Sequence, residues 1–360
     1  MLEQVYHTWW GGLLGHAIFV VSWTCGAIFI MAACWNMADY TYGLSFAVFT
    51  NCAFQKIDAR KAWAFFCFVF YLYMGPRSFA AEGFWRYWFN FWMLFCYCFT
   101  SWFLNFSPSP RYVKFMQDLD CPKWYTSCEL KGALEDVKKE GCLFAFHPHG
   151  ILTIGFSLNG MWSKQFSDIA GVTYWLIDKV LREDNPFFKV IADLHGSIES
   201  LSKNNIRKFM AKNQNVAWVP GGFEDATMMA FGKDATAIAK RTGFIKYALE
   251  HGYSVYPIYT FHETESHYAF TGLLDFRLWL NQFGIPGILV FGWPFFPILP
   301  RPDIKILTVV GKPIEMPKIG EPDTEDVKKW HTLYCEKLQE LFEEHKKDAG
   351  LSESVSLKIC

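Results

Sequence analysis

Charge-free apolar runs dominate the first third of the chain. One run covers residues 13–34 and a second covers 87–106, and both are long enough to cross a bilayer. A third run, at 62–74, is shorter and better suited to an interfacial or half-penetrating position. This pattern predicts transmembrane or interfacial helices within residues 1–106, in preference to unusually apolar core helices of a soluble protein.

Basic residues predict how these runs are oriented. No Lys or Arg precedes Leu13, whereas Lys and Arg side chains are present in the segments at 55–61 and 75–86. Because positively charged loops are retained on the cytosolic side of a membrane, we expect both segments to face the cytosol. The sequence leaves the number of membrane crossings open.

Short apolar runs of β type alternate with helical patterns from Cys142 onwards. This alternation is typical of an α/β domain with a mainly parallel sheet flanked by helices. We expect strands at 142–146, 172–177, 215–219, 254–260 and 305–310, with helices such as 204–212 and 234–250 between them.

These changes of pattern divide the chain into four segments. Residues 1–106 form the membrane-embedded part, and the turn-rich sequence SPSPRY opens a connector at 107–141. The α/β domain covers 142–315, and a C-terminal amphipathic helix and tail cover 316–360. One face of that helix is apolar at helical spacing, which indicates a docking helix without a chemical role.

The stretch IPGILVFGWPFFPILP, at 285–300, is almost wholly apolar but contains four prolines, and so many prolines exclude a regular transmembrane helix. An interfacial loop or the rim of an apolar pocket fits this composition. A buried core loop is an equally compatible interpretation.

Composition narrows the class of protein. The 360-residue chain has a net charge of −1, so nothing in its charge favours nucleic-acid binding. The eleven cysteines contain no C-x-x-C pair, and neither a zinc site nor a disulfide framework is indicated. Aromatic residues make up 19% of the chain and are concentrated in residues 1–106, which strengthens the membrane prediction there.

Three polar clusters each follow a predicted strand. They lie at 147–150, with the sequence HPHG, at 220–225, with the sequence PGGFED, and at 261–263, with the sequence FHE. Sites in open α/β sheets form outside the carboxyl ends of the strands. We therefore expect the three clusters to converge.

The HPHG pair, His147 and His149, allows three interpretations. A metal site needs a third and usually a fourth ligand, and the GILTIG sequence that follows supplies none. Purely structural burial of two imidazoles is costly unless both are hydrogen-bonded. Acid–base catalysis is favoured, because an imidazole of near-neutral pKa accepts a proton from a substrate hydroxyl.

A catalytic histidine usually needs an acid that orients it. The positions five residues after His147 and His149 are apolar, so we expect the acid to come from Glu224 or Asp225. Which histidine acts as the base stays open. Accessible backbone N–H groups that suit an oxyanion hole are provided by three glycines: Gly150, Gly221 and Gly222.

The HPHG sequence, the PGG turn with its following acid, and the block RTGFIKYALEHGYSVYPIYTFHE together resemble the type 2 diacylglycerol acyltransferase family. That family includes monoacylglycerol acyltransferases and some wax synthases, and the resemblance covers about residues 142–350. His262 occupies a position where the family usually has Gly. Motif positions with implied substrate-binding roles are Arg241, Phe244, Lys246 and Glu263.

The resemblance implies transfer of a fatty acyl group from acyl-CoA to an acylglycerol hydroxyl by direct attack, with triacylglycerol as the product. Acyl-CoA is then a substrate, and no cofactor is implied. The implied location is the endoplasmic reticulum membrane or a lipid droplet, with the catalytic domain facing the cytosol and in contact with membrane lipid. Homo-oligomer formation stays open.

Other functions stay open at this point. The acceptor is diacylglycerol, monoacylglycerol or a fatty alcohol, and the family includes enzymes for each. A membrane-bound metallohydrolase is a rival interpretation of the H-x-H pair, and a non-catalytic lipid-binding protein is a third.

Overall fold

The computed structural model describes residues 10–18, 20, 104–282 and 287–360. The whole apolar run predicted at 62–74, about two thirds of the run at 13–34 and nearly all of the run at 87–106 lie outside these residues. None of the helices in the described ranges combines the length and the apolar character that a membrane span requires.

The described residues belong to two compact units. The first contains residues 10–18, 20, 111–177, 197–282 and 287–360 and includes the sheet and every candidate site residue. The described part of the second comprises residues 104–110 and 178–196.

A mixed sheet forms the centre of the first unit. The strands of the described residues are β1 (Ser127–Gly132), β2 (Cys142–His147), β3 (Thr173–Ile177), β4 (Ile198–Ser200), β5 (Asn215–Trp218), β6 (Ala235–Thr236), β7 (Ser254–Phe261), β8 (Tyr268–Ala269), β9 (Val290–Phe291), β10 (Lys305–Val310), β11 (Ile314–Glu315) and β12 (Lys358–Ile359). The mixed sheet has the strand order β1-β10-β7-β2-β5-β3-β4, and β11 also pairs with β7. Two further pairs, β6 with β12 and β8 with β9, do not belong to this sheet.

Eight α-helices have both of their ends within the described residues. Shorter helical turns include a π-helix at Gly155–Met161 and a 3₁₀ turn at Glu263–Glu265. The α-helices are α1 (Pro110–Asp118), α2 (Lys164–Ala170), α3 (Pro186–His195), α4 (Lys203–Met210), α5 (Gly222–Met228), α6 (Gly243–His251), α7 (Leu274–Asn281) and α8 (Thr324–His345).

The predicted α/β class and the mainly parallel sheet are confirmed. All five expected strands are present, and β2 pairs in parallel with both β5 and β7. The central strand β2 is buried along its whole length, which explains why its sequence is a continuous apolar run. Strand β10 runs antiparallel to β7, so the sheet is not uniformly parallel.

The helix expected over 234–250 is wrong in its first half. Residues Ala235–Thr236 form β6, and helix α6 begins only at Gly243. Strand β6 pairs with β12, more than a hundred residues away along the chain. A tertiary contact of this kind overrides local helical preference, and local sequence does not predict it.

The C-terminal helix α8 packs an apolar face against β7. Tyr334 and Phe342 are fully buried, and the Phe342 ring centroid lies 5.1 Å from that of Tyr259. Burying one such side chain stabilises the fold by about 1.5–3 kcal/mol. Asp323 forms a capping box with Asp326 at the start of the helix.

Candidate active site

The HPHG loop (residues 147–150) leaves the carboxyl end of β2. His147 is the last residue of the strand and is fully buried, whereas His149 is half-buried. Because β2 lies between β5 and β7, the segments that follow all three strands meet at this edge of the sheet. The expected convergence of the three polar clusters is therefore found.

Both ring nitrogens of His147 are hydrogen-bonded. Nε2 lies 2.8 Å from the Tyr334 hydroxyl, and Nδ1 lies 3.1 Å from Thr236 Oγ1. The Thr236 hydroxyl donates to Asp225 Oδ2 at 3.2 Å, so Nδ1 carries the proton and Nε2 accepts from Tyr334. Burial lowers the pKa of His147 to about 3, and the ring is neutral.

Among the described residues, the hydrogen bonds that join His147 to Asp225 pass through Thr236. The Asp225 carboxylate is 5% exposed and accepts from the His149 N–H at 2.9 Å, from Thr236, and from the Ala237 N–H at 2.9 Å. Burial raises the pKa of Asp225 to about 6, opposed by these three donors. The acid holds the backbone of the HPHG loop, and its described hydrogen bonds do not include an imidazole nitrogen.

His149 differs from His147 in how its ring is bonded. Its Nδ1 lies 3.0 Å from the Gly150 carbonyl oxygen, and a carbonyl oxygen only accepts, so Nδ1 carries the proton. Nε2 therefore has the lone pair, and no partner for it is found in the part of the chain that the structure describes. Burial lowers the pKa of His149, which keeps the ring neutral and able to accept a proton.

Glu263 is the second buried acid beside the HPHG loop. Its two carboxylate oxygens accept from the N–H groups of Ile154, at 2.8 Å, and Gly155, at 2.9 Å, where the π-helix begins. Burial raises the pKa of Glu263 to about 8, opposed by these two donors. Gly150 has φ +56°, and a Cβ there would lie 2.6 Å from Glu263 Cγ, so this contact requires glycine.

The two predicted catalytic acids, Glu224 and Asp225, occupy different environments. Glu224 pairs with Arg241 at 2.8 Å, with side chains 43% and 51% exposed respectively. It lies on the surface and is not among the partners of either HPHG ring, whereas Asp225 is buried beside the loop. The structure thus places only one of the adjacent acids at the loop.

The remaining predicted site residues are dispersed. Lys246 is exposed on α6, and Phe244 is buried with its ring centroid 4.8 Å from that of Tyr334. The Gly222 N–H donates to the Val219 carbonyl oxygen at 3.3 Å. The Gly150 and Gly221 N–H groups have no hydrogen-bond partner among the described residues.

An open pocket lies beside the loop. It is lined by Pro148, Gly150, Asp225, Lys233, Thr236 and Cys360, among others. Asp225 and Thr236, which connect the two histidines, thus form part of its wall. The described residues contain no group of three or more His, Cys, Asp or Glu side chains placed to hold a metal ion.

Two residues of this site were missed in the sequence. Tyr334 belongs to the apolar face of the C-terminal helix, where only its hydroxyl, which needs a partner when buried, distinguishes it from the other aromatic residues. Thr236 lies in a two-residue strand and carries no local signal. Tyr334 gives the C-terminal helix a contact with His147 that a purely docking helix would not make.

The chain is similar to known proteins over much of its length. Residues 85–360 match the family model described as Diacylglycerol acyltransferase. The chain is 30% identical over 236 residues to Diacylglycerol O-acyltransferase 2 from Dictyostelium discoideum, covering 61% of this chain and 71% of that protein.

Two human proteins are also similar to the chain. It is 29% identical over 238 residues to Diacylglycerol O-acyltransferase 2 from Homo sapiens, and the alignment covers 60% of each, less than two thirds of that relative. It is 31% identical over 231 residues to human Acyl-CoA wax alcohol acyltransferase 2, covering 59% of this chain and 68% of that protein. No solved structure matches the chain significantly.

Proposed function

The chain belongs to the diacylglycerol acyltransferase family, and we propose on that basis that it transfers a fatty acyl group from acyl-CoA to the free hydroxyl of diacylglycerol, giving triacylglycerol. The family predicted from the HPHG, PGG and RTGF motifs is confirmed by the match over residues 85–360. Similarity to a wax alcohol acyltransferase supports a fatty alcohol as the second candidate acceptor.

His149 is the proposed general base. The observation that carries this assignment is its ring geometry, in which Nδ1–H is bonded to the Gly150 carbonyl oxygen and Nε2 has a lone pair without a described partner. His147 is fully buried with both nitrogens bonded, so its proposed role is to position the loop.

The proposed reaction is a single displacement at the thioester. His149 Nε2 takes the proton of the acceptor hydroxyl while its oxygen attacks the acyl carbonyl carbon. The carbon–sulfur bond then breaks, and the proton passes from the imidazolium to the departing thiolate, which leaves as CoA. General-base assistance of this kind contributes about 10²–10⁴-fold to the rate.

The carbonyl oxygen gains negative charge during this attack and needs hydrogen-bond donors. The proposed donors are the N–H groups of Gly150 and Gly221, which have no partner among the described residues. Gly222 is a weaker candidate, because its N–H already donates to Val219. Backbone donors of this kind are preorganised, so they stabilise the oxyanion without rearranging.

Arg241 and Lys246 are the proposed contacts for the phosphates of CoA. Both are exposed, and Arg241 is held by Glu224 in a surface ion pair. Exposed pairs contribute about 0–1 kcal/mol, so a phosphate can displace Glu224 at little cost. Phe244 and Glu263 are buried, so the role proposed for each is to position other groups of the site. Phe244 packs against Tyr334, and Glu263 accepts hydrogen bonds at the start of the π-helix.

We also propose that the enzyme acts at the endoplasmic reticulum membrane, with its catalytic domain facing the cytosol. The charge-free runs in residues 1–106 support this location. So does the exposure of large apolar side chains in 273–298, where Leu273 is 71%, Leu289 66% and Phe295 83% exposed. These exposures favour the interfacial interpretation of the 285–300 loop over a buried core loop.

The reaction class is tested with membranes that contain the full chain. They are incubated with labelled oleoyl-CoA and, separately, diacylglycerol, monoacylglycerol and a fatty alcohol, with and without EDTA. We expect labelled triacylglycerol, one CoA released per ester formed, and no effect of EDTA. Hydrolysis that needs no CoA ester and stops with EDTA would establish the metallohydrolase instead, and the absence of CoA release with every acceptor would leave a lipid-binding protein.

A further inference from the structure

We propose that the C-terminal strand β12 is a positioning element of the active site, acting through its pairing with β6. The inference rests on the proposed acyl transfer and adds a part of the chain, residues 358–360, that no motif connects with the chemistry.

The pairing consists of backbone hydrogen bonds. The Lys358 N–H donates to the Asp234 carbonyl oxygen at 3.0 Å, and the Cys360 N–H donates to the Thr236 carbonyl oxygen at 2.9 Å. The Ala239 N–H in turn donates to the backbone oxygen of Cys360 at 2.8 Å. Within the described residues, β12 is the only strand that pairs with β6.

Strand β6 carries the groups that hold Asp225. Thr236 connects Asp225 Oδ2 to His147 Nδ1, and the next residue, Ala237, donates its N–H to Asp225 Oδ1. Asp225 then accepts the backbone N–H of His149, the proposed base. A displacement of β6 by a few tenths of an ångström would therefore alter three of these hydrogen bonds together.

The approach of the tail to β6 is fixed by contacts upstream. The Lys346 ammonium donates to the carbonyl oxygens of Glu353 and Val355, at 2.7 and 2.8 Å. Leu357 is 5% exposed and belongs to the main apolar core. Because the residue before β12 is anchored in the core, the strand is held against β6 rather than lying loosely over it.

The pairing depends on backbone groups and not on the Lys358 side chain, which is exposed. Proline has no N–H, so Lys358→Pro removes the bond to Asp234, whereas Lys358→Ala keeps it. Ser356→Pro is a matched proline control, because no partner for the Ser356 N–H is found in the part of the chain that the structure describes. Cys360→Pro removes a single bond at the other end of the pair.

The experiment compares these four variants as full chains in membranes. We expect Lys358→Pro and Cys360→Pro to lower kcat about tenfold or more, with an unchanged KM for acyl-CoA, because a positioning defect acts on the transition state. Lys358→Ala and Ser356→Pro should retain the wild-type kcat. Weaker hydrogen bonds from Thr236 and Ala237 would also raise the pKa of Asp225. The acid limb of the pH–rate profile should therefore move to higher pH in Lys358→Pro and Cys360→Pro.

The pH shift separates positioning from a general loss of stability, which would lower the amount of active enzyme without moving the limb. If Lys358→Pro does not accumulate in membranes, Cys360→Pro decides the question. A wild-type kcat and an unmoved limb in Cys360→Pro would overturn the inference. Failure of the proposed function itself would be recognised separately, because membranes with the wild-type chain would then release no CoA and form no labelled triacylglycerol.

Discussion

Replacing Asp225 by Asn keeps the size of the side chain and removes its charge, which isolates the contribution of the carboxylate. The carboxylate uses both oxygens, since Oδ2 accepts from His149 and Thr236 and Oδ1 accepts from Ala237. An amide has only one acceptor oxygen. In either orientation its NH₂ group faces an N–H donor, that of Ala237 or that of His149, and leaves this donor without its acceptor in a side-chain environment that is 5% exposed.

The cost of this substitution follows from the unsatisfied donor. One buried N–H without a partner destabilises the folded state by about 1–3 kcal/mol. Either orientation also weakens the attachment of the HPHG loop, because the bond to Ala237 or the bond to His149 is lost. We therefore expect kcat to fall by about 10²-fold, which corresponds to about 2.7 kcal/mol in the activation barrier. Both effects arise from the same hydrogen bonds and should appear together.

The assay combines thermal unfolding of detergent-solubilised protein with initial rates of triacylglycerol formation. Glu224→Gln is the matched control, since it removes the neighbouring charge from a half-exposed side chain that pairs with Arg241 on the surface. We expect Glu224→Gln to keep the wild-type kcat and melting temperature and to change at most the KM for acyl-CoA. Unchanged kcat and melting temperature in Asp225→Asn would show that this carboxylate neither positions His149 nor stabilises the fold.

Three further predictions follow from the buried groups around the loop. Tyr334→Phe leaves His147 Nε2 without its donor and should lower the free energy of unfolding by about 1–3 kcal/mol, measured by denaturant titration. Glu263→Gln places an NH₂ group against the N–H of Ile154 or Gly155 and should cost a similar amount by the same rule, whereas Glu265→Gln, at the partly exposed partner of His262, should cost less. The rate should rise with pH through about 6 as Asp225 ionises, and the Asn variant should lack this limb. The pKa of Asp225 is raised above its ordinary value of 3.8, so binding of this proton favours the folded state. The free energy of unfolding should therefore carry this contribution in full below pH 3.8 and lose it as pH rises through about 6.

The sequence predicts the strands of the sheet well where every residue of a strand is buried. Strands β2, β5 and β7 are buried at every position, so each is a short apolar run bounded by polar residues. The same boundaries locate the HPHG loop, the PGG turn and Glu263, because each begins within two residues of the end of its strand. The edge strand β4 and the partly exposed β1 lack such a run and could not be recognised.

The finer arrangement of the site depends on contacts that no local pattern encodes. Asp225 lies at the HPHG loop as the motif suggests, yet it bonds a backbone N–H and reaches an imidazole only through Thr236. Thr236 is held by a pairing with residues more than a hundred positions away. Spacing in the sequence indicates which residue types meet, but it does not distinguish a carboxylate that orients a ring from one that orients the backbone beside it.

The assignment of His149 as the general base is tested by the turnover of His149→Ala with oleoyl-CoA and diacylglycerol, expressed per mole of folded protein. His251→Ala is the matched control, since His251 is also half-buried and has Nδ1 bonded to a backbone carbonyl oxygen, that of Tyr247. We expect His149→Ala to lose about 10²-fold or more in kcat with an unchanged melting temperature, as for loss of a general base, while His251→Ala keeps the wild-type rate. Turnover by His149→Ala near the wild-type rate would contradict the assignment of this histidine as the base.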